Sequence, residues 1–240
     1  MRILILAAGV GSRLRPLTES YPKPLLPLGE TNILERLLSQ VKVSFRDEEI
    51  FVNCSYLGEV ITEFISKQPI LNRPKIIWEP ELFGTAVTTL GLFKSDPSQG
   101  LLVIHGDLVI ANNALRDISD LIKTQTNSFI MVHERPLNRA RSIVSVENSK
   151  VIGIKEMSIK HGKTSTDLQS VLVNSGVLFF APKSLNNVAV PDRGTEISPY
   201  LIQELSQSHN LGFHLWKWDR VAVDSIASYE EAIELASRKG

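Results

Sequence analysis

The spacing of apolar residues in the first part of the chain predicts strands that alternate with helices. Short apolar runs predict strands at Arg2–Leu6 and in the stretches EIFVNC, PKIIWEP, GLLVIHGD and SFIMVHE. Between them, apolar residues three and four positions apart predict helices, the first beginning at Asn32, where Asn32 and Glu35 are placed like a capping box. This alternation is typical of an α/β fold, with a Rossmann-like, mostly parallel sheet and helices on both of its faces.

The pattern changes after residue 134. The stretch SIVSVENSKVIGIKEM predicts two short strands around an Asn-Ser-Lys turn, HGKTSTDLQ predicts a polar loop, and VLVNSGVLFFA predicts a further strand. Helices are predicted over Ile197–Gln207 and Tyr229–Arg238, the second opened by Ser228 and Glu231. The second half is therefore expected to form a small β-rich annex.

The charge balance, the cysteine count and the N-terminal sequence limit the possible partners and location of the protein. The 240 residues carry 26 Lys and Arg against 26 Asp and Glu, so bulk charge favours neither a nucleic-acid partner nor a membrane surface. Cys54 is the only cysteine, which excludes an internal disulfide and fits a reducing compartment. The start MRILILAAG is too short an apolar run for a signal peptide, so a cytoplasmic location is expected. The oligomeric state stays open, a homo-oligomer included.

The segment from Leu6 to Gly29 is unusually rich in turn-forming residues. Prolines at positions 16, 22, 24 and 27 exclude a continuous helix, and Gly9 and Gly11 follow directly after the first predicted strand. At the end of a strand in an open α/β sheet, glycines allow backbone N–H groups to approach an anion. Arg13 and Lys23 add positive charge nearby, so the segment predicts a polyphosphate site.

Two common phosphate motifs do not fit this segment. The dinucleotide fingerprint needs glycine where Leu14 stands, and the G-K-[ST] of a P-loop is absent. The blocks LAAGVGSRLRPLT and PKPLLPLG instead resemble the signature of the sugar-1-phosphate nucleotidylyltransferases.

This resemblance implies one nucleotidyltransferase domain over residues 1–240, with a nucleotide-binding half (1–134) and a sugar-binding, closing half (135–240). An oxygen of a sugar 1-phosphate would attack the α-phosphate of a nucleoside triphosphate, and pyrophosphate would leave with the help of Mg²⁺. In the family the arginine at Arg13 holds the departing phosphates and the lysine at Lys23 touches the α-phosphate. The backbone that wraps base and phosphates corresponds to Leu6, Ala7, Ala8, Gly9 and Gly11.

Further positions resemble the metal and sugar sites of the family. Asp107, after GLLVIHG, resembles the catalytic, metal-binding aspartate, and Asp224 takes the place of a second metal-binding carboxylate. The resemblance also implies three contacts with the sugar, namely Glu156, Asn174 and Gly176.

The residues after the sugar-binding glutamate depart from the family pattern. The lysine that often follows the sugar-binding glutamate is Met157 here, and Lys155 or Lys160 could supply that charge.

The segment WEPELFGTA resembles the part of these enzymes that reads the base, with Glu79 at the base edge and Gly84 allowing close backbone approach. A carboxylate only accepts hydrogen bonds, and guanine offers two adjacent donors, so Glu79 favours GTP, with UTP, CTP and dTTP as alternatives. The sugar is expected to be mannose- or heptose-like and to serve glycan assembly. Two other functions stay open: a CTP-dependent enzyme acting on phosphocholine, and a nucleotide-sugar-binding regulatory subunit without catalysis.

Overall fold

A computed structural model describes residues 1–69, 73–140, 142–157, 170–208 and 210–238. The predicted polar loop at 161–169 lies outside these ranges. The strands are β1 (Arg2–Leu6), β2 (Pro27–Leu28), β3 (Thr31–Asn32), β4 (Glu49–Cys54), β5 (Lys75–Trp78), β6 (Leu101–His105), β7 (Leu108–Ile110), β8 (Ser128–Pro136), β9 (Ser142–Glu147), β10 (Lys150–Glu156), β11 (Ser170–Phe180), β12 (Leu211–Leu215) and β13 (Arg220–Ala222). The α-helices are α1 (Ile33–Ser44), α2 (Gly58–Ser66), α3 (Thr85–Ser95), α4 (Ala114–Thr124), α5 (Gln203–Gln207) and α6 (Ile226–Ser237).

The chain forms two compact units that interleave in sequence. The first unit comprises Met1–Leu82, Leu102–Gln125 and Trp218–Gly240, and the second comprises Phe83–Leu101 and Thr126–Lys217. The functional halves 1–134 and 135–240 stay a prediction, because compactness does not tell what each unit binds.

The first unit contains neighbouring strands in the order β5-β4-β1-β6. The pairs β1–β4 and β4–β5 are parallel. The residues Ile3, Leu4 and Ile5 of β1 are fully buried, as a continuous apolar run predicts for a central strand. The predicted cap of α1 is confirmed, since the Asn32 side chain accepts a hydrogen bond from the Glu35 backbone N–H at 2.8 Å.

The last helix begins earlier than the sequence predicts. It starts at Ile226, and Ser225, rather than Ser228, is the N-cap residue. The Ser225 hydroxyl accepts from the Ser228 N–H at 3.2 Å, and the Ser228 hydroxyl accepts from the Ser225 N–H at 2.9 Å. This reciprocal pair satisfies two backbone donors that would otherwise lack partners, so the boundary moves by almost one turn.

A small hydrophobic cluster fixes part of the N-terminal segment inside the first unit. It joins buried side chains of residues 14–33 to those of β7 and α6, and its members are Leu14, Leu26, Leu28, Ile33, Val109, Val223, Ala232 and Leu235. The segment is thus irregular in backbone but anchored through its leucines.

The second unit has a mixed sheet in the order β11-β8-β12-β10-β9, in which β8 and β12 are parallel and the other pairs antiparallel. The predicted hairpin is confirmed as β9–β10, and its turn residues Asn148 and Ser149 have φ angles of 46° and 65°. The helix predicted over Ile197–Gln207 is a π-helical turn at Ser198–Ile202 followed by α5. Pro199 in this turn has no N–H for a regular helical hydrogen bond.

The predicted α/β fold class is confirmed by this arrangement of strands and helices. Among the described residues, no helix is both long and apolar enough to cross a lipid bilayer.

Candidate nucleotide-binding and catalytic site

The N-terminal segment leaves β1 between two polar contacts. The Leu6 carbonyl accepts a hydrogen bond from the Gly106 N–H at 2.9 Å, and the Ala7 N–H donates to Oδ1 of Asn53 at 2.7 Å. A Cβ atom at Gly106 would lie 2.6 Å from the Leu6 oxygen, so only glycine permits this approach. The start of the segment is therefore held from β4 on one side and from the end of β6 on the other.

The two predicted loop glycines differ in their surroundings. Gly9 is exposed, and apart from its chain neighbours no atom of the described residues lies within 4 Å of a Cβ built on it, so its backbone is open to a ligand. Gly11 has a φ of +67°, and a Cβ there would lie 3.0 Å from Cγ2 of Thr18 and 3.1 Å from Cβ of Lys23. The Thr18 hydroxyl donates to the Gly11 carbonyl at 2.8 Å, which folds the segment back on itself.

Two cations of this segment pair with the two predicted metal-binding carboxylates. The Lys23 Nζ atom lies 2.5 Å from Oδ2 of Asp107, and Nη1 of Arg13 lies 3.5 Å from Oδ2 of Asp224. The Lys23 and Asp107 side chains are 15% and 22% exposed, whereas Arg13 is 54% exposed. The first unit thus brings these four predicted residues into two adjacent ion pairs.

Strand pairing explains why the backbones around Asp107 and Asp224, so distant in sequence, lie close together. Strands β7 and β13 are antiparallel, with Leu108 opposite Ala222. Beyond them the Val223 N–H donates to the Asp107 carbonyl at 2.9 Å, and Asp224 is the next residue. The sequence analysis missed both strands because each is only three residues long.

The charges around Asp107 determine its ionisation. Burial raises the pKa of Asp107, but the positive charges of Lys23, His105 and Arg220 outweigh this effect and hold the pKa below its usual value. The carboxylate is therefore ionised at neutral pH, as a metal ligand must be.

The donor set fits Mg²⁺. Magnesium is commonly held by one or two carboxylates together with substrate phosphates. Asp107 immediately precedes β7, and Asp224 follows Val223, whose N–H donates to the Asp107 carbonyl. Among the described residues, no group of three or more His, Cys, Asp and Glu side chains could hold a metal ion alone. An ion bound here would thus rely on oxygens of the substrate as well.

Glu79 lies in the same unit but is not open to solvent. It is 1% exposed, and its Oε1 accepts a hydrogen bond from Nδ2 of Asn53 at 2.7 Å. The predicted contact of Glu79 with the base stays a prediction. Asn53, which the sequence analysis did not single out, could have been noticed as a polar residue at the end of an apolar strand, since buried polar groups are almost always paired.

The second unit holds the remaining predicted residues. Gly84 precedes α3 with a φ of +88°, and a Cβ there would lie 2.6 Å from the backbone N and O of Thr195, so the position requires glycine. Thr85 donates from its hydroxyl to Oε2 of Glu196 at 2.6 Å and accepts from the Ile197 N–H at 2.7 Å. The Thr85 hydroxyl thus joins the start of α3 to residues 196–197.

Two of the predicted sugar-binding residues, Asn174 and Gly176, lie two positions apart in β11. The Asn174 side chain accepts from the Gly176 N–H at 2.9 Å and donates to the Ser198 hydroxyl at 3.1 Å. The β8–β11 register shifts between Asn174 and Leu178, and Gly176 has a φ of 81° within this irregularity. The Asn174 amide is thus held by the protein at both ends.

Glu156 is the last residue of β10. Burial and the nearby Glu196 carboxylate raise its pKa above the usual value. Met157 follows it, Lys155 is exposed, and Lys160 lies outside the described residues. A carboxylate here is suited to accept hydrogen bonds from hydroxyl groups.

Comparison with known proteins places this arrangement in context. A family model described as "Nucleotidyl transferase" matches residues 2–235. The bifunctional protein GlmU of Methanococcus aeolicus is 29% identical over 216 residues, which are 88% of this chain and 48% of that protein. The UTP–glucose-1-phosphate uridylyltransferase of Synechocystis sp. is 25% identical over 253 residues, 97% of this chain and 62% of that protein. The chain therefore spans about half the length of GlmU and less than two thirds of the uridylyltransferase.

Solved structures share the fold. A Bacillus anthracis protein assigned as a glucose-1-phosphate thymidylyltransferase superposes with a TM-score of 0.79 at 19% identity, covering 100% of this chain and 96% of its own. HddC from Yersinia pseudotuberculosis, solved with GMP-PN, gives a TM-score of 0.73 at 19% identity and covers 97% of this chain and 98% of its own. At 19% sequence identity, this similarity shows a shared fold and nothing beyond it.

Proposed function

Since this chain belongs to the nucleotidyl transferase family, we propose that it transfers a nucleoside monophosphate from a nucleoside triphosphate to a sugar 1-phosphate, releasing pyrophosphate. The observation that carries this proposal is the set of ion pairs Lys23–Asp107 and Arg13–Asp224 beside an open glycine loop. Two cations suited to phosphates and two carboxylates suited to a divalent ion lie together, as phosphoryl transfer requires.

In this proposal an oxygen of the sugar phosphate bonds to the α-phosphorus while the bond from that phosphorus to pyrophosphate breaks. Lys23 offers a compact charge to the α-phosphate, and the Arg13 guanidinium donates in parallel to two oxygens of the leaving phosphates. Asp107 and Asp224 would hold Mg²⁺, which when bound neutralises phosphate oxygens and orients them. The chain contributes mainly alignment and charge, and no residue of it needs to form a covalent bond.

The same residues neutralise one another without substrate. Lys23 and Arg13 each face a carboxylate, so these four charges are paired with one another before substrate arrives. A triphosphate with its metal ion brings new partners for both kinds of group. Binding therefore exchanges ion pairs rather than creating unpaired buried charge, which keeps the desolvation cost low.

For the donor we propose a uridine or thymidine nucleotide, with GTP, which Glu79 favours in the sequence, as the alternative. The argument for guanine needs an accessible Glu79 carboxylate, but that group is 1% exposed and bonded to Asn53. The same burial removes its conflict with the carbonyl groups of a pyrimidine. The names of two similar proteins, a uridylyltransferase and a thymidylyltransferase, agree with this choice. HddC, which has a similar fold, was solved with the guanine nucleotide GMP-PN, and for this reason GTP stays the alternative.

A thermal-shift series with UTP, dTTP, GTP, CTP and ATP, each with Mg²⁺, tests the donor. A nucleotide at about a hundred times its Kd should stabilise the folded state by roughly 2.7 kcal/mol, which raises the melting temperature by a few degrees. We expect the largest shift with UTP or dTTP. A larger shift with GTP would overturn the choice of a uridine or thymidine donor.

Removal of the central carboxylate tests the reaction. We expect Asp107→Asn to lower pyrophosphate release by at least about a hundredfold, because the isosteric amide cannot neutralise a divalent ion. The matched control is Asp120→Asn, an exposed aspartate of α4 in the same unit whose partner is Lys123. Pyrophosphate release is measured with a panel of sugar 1-phosphates and the preferred nucleotide. Equal activity of both variants would contradict the proposal.

The same assay separates the other two functions. Turnover with CTP and phosphocholine, and none with sugar 1-phosphates, would indicate the phosphocholine enzyme. Nucleotide-sugar binding without pyrophosphate release would indicate a regulatory subunit. We favour a sugar acceptor because the exposed Glu156 carboxylate at the end of β10 can accept hydrogen bonds from sugar hydroxyls.

A further inference from the structure

We propose that Glu79 is a positioning residue, which acts through Asn53 to fix the Ala7 N–H at the start of the glycine loop. This inference rests on the proposed function, since it concerns the binding of the triphosphate. It assigns Glu79 a role that does not depend on the base.

The backbone hydrogen bonds between β1 and β4 end one residue before Ala7, and the Asn53 side chain takes over from there. The last paired residues are Leu6 and Asn53. The next backbone donor, the Ala7 N–H, has no strand partner and is bonded to Oδ1 of Asn53 at 2.7 Å. The Asn53 side chain thus extends the ladder by one hydrogen bond into the loop that carries Gly9.

Glu79 determines which end of the Asn53 amide faces Ala7. An asparagine amide has one acceptor end and one donor end, and a carboxylate is acceptor-only. Because Oε1 of Glu79 lies 2.7 Å from Nδ2, the donor end is committed to Glu79 and the oxygen faces the Ala7 N–H. The reversed amide would oppose two donors at Ala7 and two acceptors at Glu79.

Burial makes this arrangement costly to disturb. Asn53, Glu79 and Ala7 are 3%, 1% and 2% exposed. The backbone of Glu79 is held as well, since its N–H donates to the Cys54 carbonyl at 2.9 Å. Water does not readily replace a lost partner at such a site, so breaking one contact shifts the others.

The consequence is a base-independent effect on binding. The loop after Ala7 is the part that would contact phosphates, which every nucleoside triphosphate shares. A displaced loop therefore weakens all nucleotides by the same factor, and also inorganic tripolyphosphate, which has no base. A residue that reads the base would change the ranking of nucleotides and leave tripolyphosphate binding unchanged.

The experiment compares Asn53→Ala, Glu79→Ala, their double variant and Glu79→Gln. Calorimetry measures Kd for UTP, dTTP, GTP and tripolyphosphate, each with Mg²⁺. We expect each alanine variant to weaken all four ligands by a common factor of roughly ten, from the loss of a buried hydrogen bond. The double variant should lose little more than either single one, because both changes break one connected set of contacts.

Glu79→Gln is the conservative variant that separates positioning from reading. Its side-chain carbonyl can still accept from Asn53, so all four affinities should stay within about twofold of the wild type. Hydrogen–deuterium exchange of the peptide that contains Ala7 gives a second readout without ligand. Exchange should accelerate in Asn53→Ala and stay unchanged in Glu79→Gln. Thermal melting of each variant checks that it is folded.

The outcomes distinguish this inference from the proposed function. A changed order of nucleotides in Glu79→Gln, with unchanged tripolyphosphate affinity in Glu79→Ala, overturns the positioning role and leaves the proposed function standing. Unchanged Ala7 exchange in Asn53→Ala overturns it as well. A wild-type protein that binds neither the nucleotides nor tripolyphosphate overturns both.

Discussion

Two carboxylates with predicted roles, one in each unit, respond to pH in opposite ways. The pKa of Asp107 is held low because the positive charges around it outweigh its burial. The pKa of Glu156 is raised by burial and by the Glu196 carboxylate. Asp107 therefore contributes stability that is present above its unfolded pKa and lost as the pH falls through its folded pKa. Glu156 instead lowers stability once the pH rises above its unfolded pKa.

This difference predicts the effect of Glu156→Gln. At pH 7 the variant should be more stable than the wild type, because it removes a carboxylate that burial and Glu196 disfavour. The gain should be at most about 0.5 kcal/mol, since Glu156 is exposed enough for solvent to screen it. It should shrink as the pH falls through the unfolded pKa of a glutamate, about 4.3, because both the folded and unfolded states of the wild type then become protonated.

Urea unfolding at pH 4 and pH 7 measures this effect. Glu147→Gln is the matched control, because Glu147 is an exposed glutamate in the same hairpin as Glu156. A gain that is equal in the two variants, or that is as large at pH 4 as at pH 7, would exclude the interaction with Glu196 as its cause.

At the scale of secondary structure, the start of α6 has a function beyond ending a loop. Ser225 caps the helix, and the Ser228 hydroxyl also accepts the Asp224 N–H at 2.9 Å. The backbone of Asp224 is thus part of the cap. The N-terminal cap of α6 therefore helps to set the backbone position of Asp224, a predicted metal ligand.

We expect Ser225→Ala to lower the free energy of unfolding by about 1 kcal/mol, the usual cost of losing an N-cap side chain. Ser225→Asp should restore most of it, because aspartate is an equally good cap. Urea denaturation measures both. Ser237→Ala, which removes a hydroxyl from the other end of α6, should change the free energy of unfolding by less than about 0.5 kcal/mol. A similar loss of unfolding free energy in Ser225→Ala and Ser237→Ala would contradict a specific stabilising role of the Ser225 cap.

At the scale of the whole molecule, the candidate catalytic residues depend on contacts between distant parts of the chain. The first unit is assembled from three separate stretches of sequence. Lys23 and Arg13 come from the first stretch, Asp107 from the second and Asp224 from the third. Their approach requires β7 and β13 to pair across the second and third stretches. The site is therefore a property of the folded first unit and not of any one segment.

The pattern of apolar residues was sufficient to predict the main elements of the fold. Buried runs such as Arg2–Leu6 identified strands, because a strand covered on both faces needs apolar residues at every position. The cap at Asn32 was also predictable, since capping depends on residues close in sequence. The glycines and prolines of residues 6–29 likewise predicted an irregular segment, because their backbone constraints are local. Anion binding by this segment stays a prediction.

Tertiary structure alone decided which of these residues meet. The strands β7 and β13 are too short to have a periodic signal, yet their pairing places Asp224 beside Asp107. Glu79 looked like an open acceptor in the sequence, but folding buries it against Asn53. The local sequence determines which backbone conformations each segment can adopt. The burial of a side chain and the residue with which it pairs depend instead on segments many positions away. The sequence by itself therefore determined the elements, the fold class and the chemistry available, and the packing of distant segments decided how that chemistry is arranged.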